Sequence, residues 1–146
     1  MKTVKELLAA KGATVCTIEQ DASVLSALKL MAEKEIGVVV VLEDGRVVGI
    51  ISERDYARKV ILKGKFSKNT PVREIMSQPL AVHPGQSVEE CMGLMTNKRV
   101  RHLPVLDDGR LVGIVSIGDL VKNIISDQNF LIQNLEEYIG GAPAVR

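Results

Sequence analysis

Shifted by 64 residues, the chain matches itself. Residues 17–56 fall on residues 81–120 without a gap, and about 15 of the 40 pairs are identical. The shared residues include Ser23 with Ser87, Met31 with Met95, Asp44-Gly45-Arg46 with Asp108-Gly109-Arg110, Gly49-Ile50 with Gly113-Ile114, Ser52 with Ser116 and Asp55 with Asp119. An internal repeat constrains the fold before any single motif does. Two copies of one unit pack about a pseudo-two-fold axis, and that axis creates two related clefts.

Each unit reads in the order β-α-β-β-α. A short extended segment (residues 15–18, then 80–82) leads to Ser23 or Ser87, which opens a helix. Ser87-Val88-Glu89-Glu90 has the spacing of a capping box, and Val24, Leu28 and Met31, with Val88, Met92 and Met95, recur at helical spacing. A β-rich run follows (37–42, then 102–106), then an Asp-Gly turn, then a return strand (47–51, then 111–115). Asp-Gly between two such runs is a hairpin signal, because tight hairpin turns need positive φ. A second helix begins at Ser52 or Ser116. The runs 38–41 and 47–48 are too apolar for a sheet with one wet face, so helices should cover one side and the other repeat the second. The expected architecture is α/β in the α+β sense: two pseudo-symmetric β-α-β-β-α repeats packed sheet to sheet. The divisions are 1–66, first repeat with an N-terminal segment; 67–126, second repeat; and 127–146, a C-terminal helix and tail. Thr70-Pro71 reads as the N-cap and first residue of a short helix ending near Met76. Residues 127–138 read as one more helix, stopping at Gly140-Gly141, with a loosely held tail at 142–146.

Composition removes several function classes. Apolar residues make up 46% of the 146, but aromatics only 3%, with no Trp. The core must be aliphatic, and the exposed rings on which single-stranded nucleic acids stack are lacking. A net charge of +1 marks no polyanion binder. Cys16 and Cys91 occupy non-equivalent repeat positions and form no CxxC, so reduced, packed thiols are expected rather than a disulfide or metal site. The longest apolar run, 36–42, is far short of the ~20 residues that span a bilayer. Residues 1–12 lack the apolar core of a signal peptide. These points give the expectation of a cytoplasmic protein without membrane contact.

Each repeat ends in G-x-[IV]-[ST]-x-x-D: Gly49-Ile50-Ile51-Ser52-Glu53-Arg54-Asp55 and Gly113-Ile114-Val115-Ser116-Ile117-Gly118-Asp119. With the β-α-β-β-α order, the Asp-Gly hairpins and the string Val100-Arg101-His102-Leu103-Pro104-Val105, the chain resembles a tandem CBS-domain pair, or Bateman module, over about residues 4–125. It is similar to small stand-alone bacterial proteins of that kind. The resemblance implies a non-catalytic sensor whose inter-repeat clefts bind an adenine nucleotide, AMP foremost, or ADP, ATP or NAD. S-adenosylmethionine is an alternative ligand. It also implies a disc-like homodimer, a downstream protein partner and no metal.

The chemistry of the motif fits that implication. A carboxylate accepts hydrogen bonds from both hydroxyls of a ribose diol, which suits Asp55 and Asp119. Ser52 and Ser116 stand at helix starts, where free N–H groups favour phosphate. S-x-x-D is equally a capping-box pattern, so both readings stand. The family pattern implies one cleft with Ser52, Arg54, Asp55, Leu80, Ala81, Val100, Arg101, His102 and Pro104. The other would hold Ser116, Asp119 and Ile114, with Val15, Cys16, Thr17, Ile36, Gly37 and Val38. On this distribution the Asp55 cleft has the cations and should take the phosphorylated ligand. Three other readings compete: a dimerisation module with vestigial clefts, a nucleic-acid binder and an enzyme. The last lacks a nucleophile-base set, a metal cluster or a P-loop.

Overall fold

The computed structural model describes residues 2–140. In chain order they form α1 (Val4–Lys11), β1 (Thr17–Glu19), α2 (Val24–Lys34), β2 (Val38–Glu43), β3 (Arg46–Ser52), α3 (Glu53–Tyr56), α4 (Val88–Lys98), β4 (His102–Asp107), β5 (Arg110–Ser116) and α5 (Ile117–Gly140). A π-helical turn, Ala57–Ile61, continues α3, and a 3-10 turn, Val72–Glu74, lies in the connector. Met1 and the tail from Gly141 lie outside the described residues, and so does the expected helix stop at Gly141.

The repeat unit forms as its punctuation dictates. Ser23 accepts from Ser26 N–H at the start of α2, and Ser87 forms a reciprocal capping box with Glu90 at the start of α4. Both helices end on a left-handed residue, Glu35 and Arg99, each at φ 55°. The hairpins turn on Asp44-Gly45 (φ 49° and 79°) and Asp108-Gly109 (φ 50° and 79°). Positive φ at both central residues is the type I′ geometry, whose twist matches the flanking strands. β2 pairs antiparallel with β3, and β4 with β5, with register shifts at the equivalent steps Val41/Leu42 and Val105/Leu106. β3 and β5 meet across the repeat boundary.

Four details differ from the sequence reading. β1 pairs in parallel with β2, but residues 80–82 form only one bridge, Val82 with Val105. The cause is Pro104. In the first repeat Val40 N–H donates to Cys16 C=O at 3.1 Å; Pro104 occupies the equivalent place and has no N–H to give. The second sheet therefore has two full strands, and Val82 joins it through Val82 N–H to Pro104 C=O and Leu106 N–H to Val82 C=O. The connector helix shrinks to a single 3-10 turn, because Pro71 stays extended (ψ 149°) to bridge Ser23. The second helix of the first repeat ends in a π turn. Residues 117–140 form one continuous helix rather than two, since no Gly or Pro interrupts residues 119–139.

Two apolar clusters hold the fold. The first-repeat cluster contains Val24, Ala27, Met31, Val39, Val41, Ile51 and Val60, together with Val72 and Ile75 from the connector. The second-repeat cluster contains Val88, Cys91, Met95, Leu103, Val105, Val115 and Leu120, together with Val4, Leu7 and Leu8 from α1. Each core is thus closed by the segment that precedes the other repeat in the chain. Val4, Leu7 and Leu8 are at most 8% exposed, and burying them contributes on the order of 5 kcal/mol.

The two closing segments seat against the motif glycines. A Cβ on Gly113 would lie 2.7 Å from Leu8 Cδ2, and one on Gly49 would lie 2.8 Å from Met76 Cγ. Gly113→Ala is expected to destabilise by about 1–3 kcal/mol through this overpacking. Gly93 in α4 is the contrast, since a methyl added there would meet nothing within 4 Å. Gly93→Ala should stabilise by about 0.5–1 kcal/mol. Thermal denaturation of the two variants beside the parent checks both signs. An unchanged melting temperature in Gly113→Ala would mean α1 does not sit there.

Candidate functional site

Ser52 and Ser116 end their strands and start the next helices, so the two motif carboxylates are drawn first into capping. Asp55 N–H donates to Ser52 Oγ (3.1 Å), and Ser52 N–H donates to Asp55 Oδ2 (3.0 Å). The second repeat repeats this: Asp119 N–H to Ser116 Oγ (3.1 Å) and Ser116 N–H to Asp119 Oδ2 (2.8 Å). The capping reading of S-x-x-D is therefore realised at both sites. Each carboxylate then has further partners.

The Asp55 carboxylate is nearly buried. Its Oδ1 accepts from Ser77 Oγ at 2.9 Å and faces Lys59 Nζ at 3.2 Å. Lys59 also donates to Ile75 C=O at 3.0 Å. Ser77 is held in place by two backbone bonds to Ile50 on the outer edge of β3. From there the chain runs on to Leu80, half-buried against the second core, and to exposed Ala81.

The Asp119 carboxylate meets a lysine from the other end of the chain. Lys11, the last residue of α1, donates from Nζ to Asp119 Oδ2 at 2.5 Å and to Ile114 C=O at 2.9 Å. The chain beyond Lys11 leads to Val15, Cys16 and Thr17 at the edge of the first sheet. Val15 and Thr17, with Ala13 and the hairpin residues Gly45 and Gly109, line a groove of about 450 Å³ between the repeats. A second hollow of about 350 Å³ is bounded by Leu28, Ile36, Gly37 and Glu53. Neither of these two reaches Asp55 or Asp119.

The segments between helix and strand sit differently from the sequence reading. Val100, Arg101 and His102 were expected beside Asp55, and Ile36, Gly37 and Val38 beside Asp119. The structure exchanges them. His102 pairs with Ser116 in the β4–β5 ladder, and Ile117 N–H donates to Arg101 C=O at 2.9 Å. Val38 likewise pairs with Ser52, and Glu53 N–H donates to Gly37 C=O at 3.1 Å. The reason is the hairpin. In an antiparallel pair the first residue of one strand faces the last residue of its partner, so the head of each hairpin meets the S-x-x-D of its own repeat.

The distribution of charge reverses with it. The Asp119 side gathers exposed Arg101, half-buried His102 and Lys11. At the place equivalent to Arg101, the Asp55 side has Gly37, and the Glu53 carboxylate lies over it, 2.9 Å from where a Cβ would be. Arg54 and Arg58 on that side are exposed, as a solvated helix face would be. Val100 and Ile36 pack on their own cores, and Pro104 is buried within β4.

Titration follows the same geometry. Burial opposes the charge on Asp119, but the Lys11 ammonium and the Ser116 donors outweigh it and hold the carboxyl below its ordinary range. Burial lowers the pKa of His102; Asp119 pulls it up, while Lys11 and Arg101 push it further down. Burial, with a smaller contribution from Glu90, raises the Cys91 thiol to about 11. Cys91 is buried and Cys16 half-buried, and both are free thiols. Among the described residues, no three His, Cys, Asp or Glu side chains gather as metal ligands, and no helix is long and apolar enough to cross a membrane.

Sequence reasoning missed Ser77 and Lys11. Lys59 was legible as the i+4 partner of Asp55, but Lys11 lies 108 residues from Asp119 and carries no local signal.

The family model for the CBS domain matches residues 4–62 and 72–126. The mitochondrial CBS domain-containing protein CBSX3 of Arabidopsis thaliana is 37% identical over 95% of this chain and 72% of its own length. The CBS domain-containing protein YhcV of Bacillus subtilis is 33% identical over 88% of this chain and 90% of its own. A solved CBS-domain protein from Burkholderia ambifaria is 51% identical, with a TM-score of 0.83 over 87% of this chain and 96% of that one. The CBS-domain pair of protein MJ0100, solved with 5′-methylthioadenosine and S-adenosyl-L-methionine, is 25% identical, with a TM-score of 0.77 over 87% and 98%.

His102 gives a pH dependence. Its folded pKa is depressed below 6.5, so between the two values the unfolded chain binds more protons. Stability should fall as pH drops below about 6.5 and level off once the folded pKa is passed. Asp119, also depressed, removes more stability below about 3.8. Urea denaturation of His102→Gln and the parent between pH 7.5 and 5 tests this; parallel curves would exclude His102 as the titrating group.

Proposed function

Because this chain belongs to the CBS-domain family, we propose that it is a regulatory module without catalytic chemistry, which binds an adenosyl ligand between its repeats and signals by changing shape. The observation that carries this reading is the grouping at the second motif: Lys11 donates to Asp119, and Arg101 and His102 stand at the head of the hairpin that returns to Ser116. Asp119 supplies the acceptor for a ribose diol. The Arg101 guanidinium, at the head of the same hairpin, supplies the fork that pairs with phosphate oxygens. The chain at Val15, Cys16 and Thr17 offers backbone groups for the adenine edge. The cleft marked by Asp119, rather than that of Asp55, is therefore assigned the phosphorylated ligand: AMP first, with ADP, ATP and NAD as longer relatives. At the other cleft Glu53 repels phosphate, so Asp55 suits a less charged adenosyl group such as S-adenosylmethionine.

In either cleft the ligand must share or displace a lysine. Lys11 is the consequential one, because it ties α1 to the second repeat. A diol that takes Asp119 Oδ2 from Lys11 loosens that tie, which supplies the differential interaction that a ligand-driven shift requires. The competing reading is a module that only assembles, with vestigial clefts. It is favoured by one fact: both motif carboxylates already have intramolecular partners, Asp55 on both oxygens and Asp119 on Oδ2.

Calorimetric titration with AMP, ADP, ATP, NAD and S-adenosylmethionine separates the two. The expected result is micromolar binding of a phosphorylated nucleotide that Asp119→Ala abolishes and Asp55→Ala leaves within a few-fold. Arg101→Ala should weaken AMP by about 10–100-fold, as loss of a charge-assisted pair does, and barely alter 5′-methylthioadenosine. No heat and no thermal shift with any of the ligands would leave the assembly reading standing.

A further inference from the structure

The connector between the repeats carries a charge that the total hides. Residues 56–73 include six cations, Arg58, Lys59, Lys63, Lys65, Lys68 and Arg73, and no carboxylate. The whole chain has a net charge of only +1, so the remaining residues together are acidic. The same stretch leaves three large apolar side chains in water: Ile61 is 56% exposed, Leu62 77% and Phe66 73%. The far part of α5 also exposes apolar side chains, but Asp127, Glu136 and Glu137 stand among them. Cations with apolar side chains are peculiar to the connector.

This loop is held in shape by its backbone. Val60 is fully buried and anchors the π turn in the first core, while its neighbours Ile61 and Leu62 face solvent. Gly64 then stops the helix at φ 69°, a conformation that glycine adopts without strain. Lys65 N–H donates to Val60 C=O at 3.0 Å and Gly64 N–H to Ile61 C=O at 3.2 Å, which folds the turn back. Phe66 C=O accepts from Thr70 Oγ1 at 2.7 Å, and Ser67 C=O accepts from Leu25 N–H of α2 at 2.9 Å. The second repeat has Gln128 in place of Gly64, and there the helix runs on. The duplication therefore did not supply this feature. Of the cations, Lys59 turns inward to Asp55 and Ile75, Arg73 pairs with Asp21, and Lys65 lies 3.9 Å from Glu74. Among the described residues, Arg58, Lys63 and Lys68 have no carboxylate partner.

We propose that this loop docks the protein on an anionic lipid bilayer, with Leu62 and Phe66 entering the headgroup region and the lysines lying over it. Two observations select that occupant. First, unpaired cations match the surface charge of a bilayer with anionic lipids, where each nearby lysine raises affinity about fivefold. Second, apolar side chains placed among those cations gain by leaving water for the bilayer interface. They gain nothing from the phosphodiester backbone of a nucleic acid, and only Phe66 has a ring on which a base could stack. The three side chains stand out from the surface, and neither of the two hollows described above includes a residue of the loop. The short apolar runs that argue against crossing a membrane do not bear on lying against one. The membrane contact that run length excluded returns here as a peripheral one. It is independent of the ligand reading, since neither Asp119 nor Arg101 takes part.

Co-sedimentation of the full chain with lipid vesicles tests it. The chain should bind phosphatidylcholine vesicles that contain about 30% phosphatidylserine, and bind pure phosphatidylcholine at least about tenfold more weakly. Raising the salt to about 0.5 M should reverse most of the binding. Lys63→Gln with Lys65→Gln and Lys68→Gln should weaken it by about 30-fold or more. Lys5→Gln with Lys29→Gln and Lys98→Gln removes the same charge from exposed positions elsewhere, and should cost less than about threefold. Leu62→Ser with Phe66→Ser should weaken binding by about tenfold or more. The chain has no Trp, so Phe66→Trp reports insertion: its emission should shift to the blue with the anionic vesicles. All of these positions are exposed, and thermal melting checks that the variants fold. Three results overturn the proposal: no binding to the anionic vesicles, equal losses in the two lysine triples, or Phe66→Trp emission that the vesicles leave unchanged. A single-stranded RNA or DNA probe bound in place of the vesicles, with the same lysine dependence, also overturns it and makes the loop a nucleic-acid site. Nucleotide titration of the Lys63/Lys65/Lys68 variant keeps the two readings apart, because loss of the loop leaves the Asp119 site untouched.

Discussion

Neither repeat closes its own core. The first is sealed by Val72 and Ile75 from the connector, the second by Val4, Leu7 and Leu8 from α1. Backbone bonds fix the exchange: Val4 N–H to Gln86 C=O and Val88 N–H to Lys2 C=O on one side, Val72 N–H to Ala22 C=O and Val24 N–H to Thr70 C=O on the other. The repeats cannot separate without exposing both clusters. The same crossing brings Lys11 to Asp119 and Ser77 to Asp55. Packing and site chemistry thus have one cause, and the two motif glycines are the points where it is tightest.

The pseudo-symmetry is real in backbone and broken in chemistry. Helix caps, hairpin turns and bulges fall at equivalent positions in both halves. Side chains then diverge at the head of each hairpin: Arg101 and His102 in the second, Gly37 under Glu53 in the first. The same backbone position thus carries an arginine in the second repeat and, in the first, a glycine covered by the Glu53 carboxylate. A duplicated unit can diverge in side-chain chemistry in this way without changing its fold.

Much of the fold was legible in the sequence, because local signals carry it. The caps at Ser23 and Ser87, the positive-φ turns at Asp44-Gly45 and Asp108-Gly109, and the order of elements all depend on residues a few positions apart. Two readings differ from the structure, one drawn from a local pattern and one from the family resemblance. The strand expected at 80–82 failed because the donor it needed is absent at Pro104, two dozen residues away. Arg101, set beside Asp55 by the resemblance, lies next to its own S-x-x-D, because an antiparallel hairpin returns the chain there.

What the sequence determined by itself was the repeat, and with it the paired architecture, the two motif carboxylates and the helix starts that cap them. Each follows from short-range periodicity, capping and turn geometry. What only the tertiary structure decided was the exchange of closing segments, the Lys11 and Ser77 partners of the two carboxylates, and the side on which the cations gather. Those contacts join residues from 22 to 108 positions apart. No local preference encodes such a pairing; it exists because burying each core is favourable only with a segment that arrives from the other half of the chain.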